Sequence, residues 1–496
     1  MRAAFRRTRA LAAIGLVVSA WGCGESPPPK VPEAPPVDVA VRKPPPVVPA
    51  GQKVGIVAAG AGDELTGDAK AAYDRGFQAW MSGDLAGAKA AFSDAVQKAP
   101  SAGGPHYSLG CVLERLGDTQ GALDAYRAAY GANAKFDVAM GAYALLLAQT
   151  GHGPDAEQFI SDKLAQSPSS VALMTYKAEI KSIEGDSPGC QQIAQQALAK
   201  QPDYRDAMVV IARDYYRNHR WDLARYALQA ILDGADDGSI PPRDKGNAEA
   251  LLLRALVERE TGQRKQALAD FERAIQGRPD LFEAYVNLGE MKLEAGNASE
   301  AQEPLEKAVR YAPNVPLAHL DLGDCYRLLG RPGDAKAELD RAMSMDSTLA
   351  GVHYDLGLLY LFSPTVPGAS SPDDQLAKAI RELETYRSMR SAKAPKGPGD
   401  DVDELLSTAK RKQSELQLKK QAAAAAATAP AVPAAADTAS SPSAPPPASS
   451  AAPAKVSPPK ALAPAPRPAK PSTAKPGGAP KTPPASSGNI VRSLPN

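Results

Sequence analysis

The chain has 496 residues, 57 basic against 56 acidic, with 5% aromatic residues and 46 prolines. A net charge of +1 excludes a general nucleic-acid binder, which needs a basic excess. The cysteines are Cys23, Cys111, Cys190 and Cys325. None lies in a CxxC or Cys/His cluster, which removes zinc and redox motifs, and so few thiols make no disulfide framework in a chain this long.

Arg2, Arg6, Arg7 and Arg9 precede an apolar run from Leu11 to Ala20, the length of a signal-peptide core and too short to cross a bilayer. The order of basic residues, apolar run and Gly22-Cys23 resembles a bacterial lipoprotein signal, spanning residues 1–22. That resemblance implies export, lipidation of Cys23 and anchoring at the periplasmic face of the outer membrane, where multiple acyl chains hold firmly. Ala20 and Trp21 stand where that family prefers Leu and a small residue. Cleavage after Val18-Ser19-Ala20, giving a soluble periplasmic or secreted protein, is the alternative, and a cytosolic protein with a basic N-terminus the third reading.

From residue 23 to 66 the chain is a Pro-rich tether, densest between Ser26 and Pro49. Proline removes backbone donors and fixes φ, so an extended polyproline spacer is expected.

The centre is periodic. Units begin near Ala69, Gly103, Asp137, Val171 and Arg205, then after an insertion at Ser239 to Asn247 near Ala248, Phe282, Pro316 and Ala350. Within each phase they are about 34 residues apart, a period that marks helix–turn–helix repeats. A small residue recurs at the eighth position (Gly76, Gly110, Ala144, Ala178, Ala212, Ala255, Gly289, Gly323, Gly357). It marks a close helix crossing. A glycine seven residues later ends the first helix in most units. His219 replaces it in the fifth and an insertion in the ninth, so irregular turns are expected there. The second helix carries a small–large–small stripe such as Ala122-Tyr126-Ala129 or Ala301-Leu305-Ala308, all on one face.

Phe282 to Gly289 (FEAYVNLG) and the Ala301 stripe ending in Pro313 resemble the tetratricopeptide-repeat family. The resemblance covers residues 69–392 and implies an all-α superhelical solenoid of about nine units whose inner groove binds protein segments. A helix over 401–427, with Val402, Leu405, Ala409 and Leu416 on one side, is expected to cap the last unit. The Ala/Pro/Lys-rich tail from 428 to 496 has the composition of disorder.

Mapped onto the family register, the groove positions are Tyr73, Phe77, Trp80 and Tyr107 at one end and Arg213, Tyr216 and Arg217 in the fifth unit. The aromatics are read as a partner surface or as cover for the open end, the arginines as a clamp for an acidic segment or a solvated face. The Lys/Asn pattern that grips a C-terminal carboxylate is missing from the first three units. His106, His319 and His353 occupy the fourth position and read as packing residues rather than metal ligands. Gly60-Ala61-Gly62 is no phosphate loop, and no catalytic constellation stands out. No cofactor, metal, nucleic acid or small-molecule substrate is expected.

The layout resembles envelope lipoproteins of outer-membrane assembly, secretin and gliding-motility machines, the myxobacterial gliding component being the nearest in design. The expected role is a non-catalytic scaffold binding other envelope proteins. Alternatives are a subunit presenting substrates to a separate envelope enzyme and a peptidoglycan-contacting protein.

Overall fold

The computed structural model describes residues 65–234, 238, 241–389 and 402–428. Cys23, the signal, most of the tether, part of the insertion and the tail lie outside them. The described residues form nineteen α-helices and no strand. The first eighteen pair into nine hairpins. They are α1 (Gly67–Ser82) with α2 (Leu85–Lys98), α3 (Gly103–Arg115) with α4 (Thr119–Ala132), and α5 (Asp137–Gln149) with α6 (Gly153–Gln166). Next come α7 (Val171–Ile183) with α8 (Ser187–Lys200), α9 (Arg205–Arg217) with α10 (Trp221–Leu232), and α11 (Ala248–Glu260) with α12 (Arg264–Gly277). The last three are α13 (Phe282–Glu294) with α14 (Ala298–Tyr311), α15 (Pro316–Leu328) with α16 (Pro332–Met345), and α17 (Ala350–Phe362) with α18 (Pro372–Met389), followed by α19 (Val402–Thr428).

The eighth-position residue sets how closely each pair packs. Gly110 lies flat against the Tyr126 ring, where an added Cβ would come within 2.5 Å of it, and Gly289 lies equally close to Leu305. Tyr126, Leu305 and their equivalents Phe92, Phe271 and Leu339 are fully buried. The turn after the first helix is closed by backbone bonds: Asp84 N donates to Ala79 O and Gly83 N to Trp80 O, with Gly83 at φ 77°. Asp84, Asp118 and Asp186 cap the following helices by accepting from the amides of Gly87, Gly121 and Gly189.

His219 is the departure from expectation. It takes the same left-handed conformation as the glycines, φ 56°, so the fifth turn is regular in shape and the expected irregularity there is corrected. In the ninth unit Ser363 is extended after α17, and the chain loops through 363–371 before α18.

First helices touch the first helices of neighbouring units (α5–α7, α7–α9, α9–α11, α13–α15, α15–α17), whereas successive second helices approach each other less closely. The first helices therefore form the inner layer of the curve. At the far end Val402, Leu405, Leu406 and Ala409 of α19 are buried in the same core as Leu356 and Leu383, which covers the last apolar face. Beyond Ala409, Leu416 is only partly buried and Leu418 is exposed.

A β-carbon at positive φ strains the backbone by roughly 1 kcal/mol. His219→Gly is accordingly expected to raise the thermal midpoint of the array in a circular-dichroism melt, whereas His219→Ala keeps the strain and is not.

Candidate partner-binding groove

The structure separates the seven expected groove residues into three groups. Tyr73, Trp80 and Tyr107 are buried (5%, 2% and 7% exposed), so a free partner surface made of them is corrected to core. The Tyr73 hydroxyl lies 3.0 Å from Ser108 Oγ and its ring packs on Phe92, while Tyr107 packs between Tyr126 and Phe136. Phe77 remains partly exposed at the edge of the first core cluster.

Beside Trp80 the chain meets a distant part of itself. The Tyr311 hydroxyl donates to Met81 O at 2.9 Å, across 230 residues. The Arg310 side chain stands over Gly83, and Asn314 lies beside Gly117. The Arg115 guanidinium lies over the rings of Phe282 at 4.5 Å and Trp80 at 5.9 Å. The first two hairpins therefore touch the seventh and the loop that follows it, closing one turn of the solenoid.

Arg213 and Arg217 come together, and the clamp expected of them is corrected by their partners. Both bind the buried Glu179, at 3.0 and 2.8 Å. Arg213 continues to Glu249 at 3.0 Å, Glu249 to Arg278 at 2.9 Å, and Arg278 to Asp280 at 3.4 Å. This ladder of alternating charge runs from the fourth hairpin through the sixth to the loop before the seventh and occupies the cations internally. Tyr216, partly exposed, faces Arg259 and Glu260, and burial pushes its phenol up to about 12.

The ladder stands where the apolar core is weakest. In α8 the stripe is Cys190-Ala194-Ala197, without a large member, and its cluster holds only Ala178, Cys190, Ala194 and Val210 among the fully buried apolar residues. A polar centre compensates. Asp214, fully buried, accepts from Ser182 at 3.0 Å, Ser187 at 2.6 Å, Gln191 at 2.7 Å and Asn218 at 3.3 Å.

The histidines are structural. His106 Nε2 and His319 Nε2 lie 3.0 and 2.9 Å from the carbonyls of Pro100 and Pro313, while Nδ1 of His319 and His353 meets Glu338 and Glu382. Burial pushes the thiols of Cys111 and Cys190 up to about 12, and Cys325 Sγ lies 3.3 Å from Ala298 O. Among the described residues no group of His, Cys, Asp and Glu is placed to hold a metal ion, and no helix is long and apolar enough to cross a membrane.

Two residues that the sequence reading passed over lie open at the thirteenth position of their units: Leu328 and Phe362, 48% and 55% exposed. The Lys412 ammonium stands over the Phe362 ring at 5.1 Å. Their signal was the shared register position, occupied by Arg, Gln or Glu in five of the seven earlier units and by Met81 and Ile183 in the other two.

Stacked hairpins with an inner layer of first helices define a helical-repeat scaffold, an architecture whose concave surface suits protein–protein interaction. Models described as tetratricopeptide repeat match residues 73–137, 107–171, 252–301 and 292–348, so these stretches are tetratricopeptide repeats. No curated protein matches the sequence. Among solved structures it is similar to the Cut9–Hcn1 hetero-tetramer of the APC/C, at 13% identity and TM-score 0.46, covering 68% of this chain and 63% of that one. It is also similar to MamA (20%, TM-score 0.29, 34% of this chain and 94% of that one). A third is a tetratricopeptide repeat protein from Parabacteroides merdae (16%, TM-score 0.29, 59% and 98%). The chain thus spans less than two thirds of the length of the first of these.

Removing the Asp214 carboxylate strands buried hydroxyl and amide donors from two hairpins. Asp214→Ala is expected to destabilise by about 3 kcal/mol and Asp214→Asn by less, read as a shift in the urea midpoint.

Glu258 predicts a pH dependence of opposite sign to an ordinary paired carboxylate. It is 8% exposed, its Oε2 has no hydrogen-bond partner, and Arg254 is 3.9 Å away. Burial, and then neighbouring Asp270, push its pKa from 4.5 up to about 7. The folded chain holds this proton more tightly than the unfolded one, so the contribution is full below pH 4.5 and is lost as pH rises to about 7. Glu258→Gln should match the wild type in acid and be more stable by roughly 2–3 kcal/mol above neutrality, in urea titrations across pH.

Proposed function

We propose that this chain is a non-catalytic scaffold of a bacterial cell envelope, anchored through a lipidated Cys23 and holding partner proteins along its inner groove. The carrying observation is the open apolar pair Leu328 and Phe362 on the inner register of the last two hairpins, beyond the self-paired charges of the middle. Exposed apolar side chains beside a concave surface take the apolar face of a partner helix or extended segment. Support for the envelope comes from the sequence of residues 1–22 and the Pro-rich stretch behind Cys23, which would space the array from a membrane. The machine served would be one of outer-membrane assembly, secretion or motility, on likeness of layout.

The test is cross-linking with mass spectrometry in intact cells, comparing wild type with Leu328→Asp/Phe362→Asp. Loss of specific envelope-protein cross-links, with helicity unchanged, is the expected result; an unchanged set overturns the groove assignment. Cys23→Ser is expected to move the protein from the membrane to the soluble fraction, and retention in the membrane overturns the anchor.

A further inference from the structure

The fifth hairpin differs from the others at its turn. Seven first helices, in units one to four and six to eight, end on a glycine at positive φ, and here the position is His219 at φ 56°. The His219 ring meets Trp221 edge-on at 5.0 Å, and the Tyr216 ring packs tilted against Trp221 at 5.2 Å. Trp221 is the first residue of α10, where the other second helices carry Leu, Thr, Gly, Ser, Arg, Ala or Pro. All three rings keep accessible surface, His219 being exposed. Backbone strain retained for an aromatic ring, in a chain with few aromatics, points to a use for the ring.

The surrounding charge is defined. Asp222 is 98% exposed, and Glu260 is exposed close to Tyr216. The nearby cations are engaged: Arg217 with Glu179, Arg259 with Glu290, Arg225 with Asp222 and Thr261, and Arg220 over the Tyr215 ring. Rings set at angles beside exposed carboxylates suit a proline-rich segment bearing cations, because proline rings lodge between aromatics and the extended backbone loses little entropy on binding.

The chain carries such a segment. Pro464, Pro466, Pro468 and Pro471 flank Arg467 and Lys470. The tail from 429 to 496 holds seven basic residues and one acid, against 42 basic and 50 acidic in residues 65–428. The other proline-rich stretch, residues 23–64, has five acids against four bases and offers no such complementarity. The 35 residues between Thr428 and Pro464 reach about 110 Å when extended at about 3.1 Å each, enough to pass back over four hairpins built of helices about 10 Å across.

We propose that the Tyr216–His219–Trp221 platform is the docking site for residues 464–471 of the chain's own tail. The tail covers the groove edge at the fifth hairpin, and a partner engaging that hairpin must displace it. A tethered segment acts at an effective concentration of about 1 mM, so an intrinsic Kd of about 100 µM keeps some nine molecules in ten docked.

Trp221 reports on this directly, since Trp80 is buried and Trp21 can be replaced by Phe. In the full chain carrying Trp21→Phe, acrylamide quenching of tryptophan emission is compared with that of Pro468→Ser/Pro471→Ser and Arg467→Glu/Lys470→Glu. Both tail variants should lose protection of Trp221, and a synthetic peptide of residues 461–475 should restore it. His219→Gly should be more stable yet lose the protection. Equal quenching in wild type and tail variants overturns the proposal. So does protection that falls on dilution, which would place a second copy's tail on the site.

Discussion

Everything in this array hangs on one contact: a small residue in the first helix lying flat against a large side chain of the second. Gly110 on Tyr126 and Gly289 on Leu305 bring two helices closer than ordinary side chains allow, and that closeness fixes the angle at which the next hairpin is added. Alanine serves equally in four units, once against the full ring of Phe271, so what is selected is smallness. Where the large partner itself is missing, at Ala194, the junction is held by the buried Asp214 and the carboxylate of Glu179 instead.

That exchange of oil for charge shapes the groove. From the fourth to the seventh hairpin the inner surface is occupied by arginines and carboxylates that satisfy each other, and a charged ligand there would have to break pairs that already exist. Toward the end of the array the same surface carries the open apolar Leu328 and Phe362, and α19 closes the last hairpin with only its Lys412 over the Phe362 ring. Charge pairing thus occupies one stretch of a continuous surface and leaves another open.

The nine hairpins were legible in the sequence because each is specified locally, by a period of small residues and turn glycines that needs no distant information. The third and fourth units, whose second-helix stripes depart from the pattern at Lys163 and Ala194, were readable only through the phase of their neighbours. The groove was less legible. Tyr73 and Tyr107 sit at positions that face a groove in the family, yet adjoining side chains bury them, and Met81, beside Trp80, is met by a helix end 230 residues away, which no local pattern encodes. The partner of Arg213 and Arg217 was within reach: Glu179 holds the same register position one unit earlier as Arg213. His219 shows the limit of residue preference, since the backbone geometry of the turn prevailed over the side chain's dislike of it.

The meeting of Met81 with Tyr311 changes what kind of polymer this is. A linear stack of repeats melts like a one-dimensional lattice, fraying from its ends, each unit feeling only its neighbours. Once the first hairpins touch the seventh, the frayed end is tied to the interior, and loss of the first unit also removes support from α14. Part of the folding transition then becomes non-local. It must close a loop of more than 200 residues, which costs little more than a short one because the entropy grows only with the logarithm of length. The stack acquires an all-or-none segment inside an otherwise gradual array.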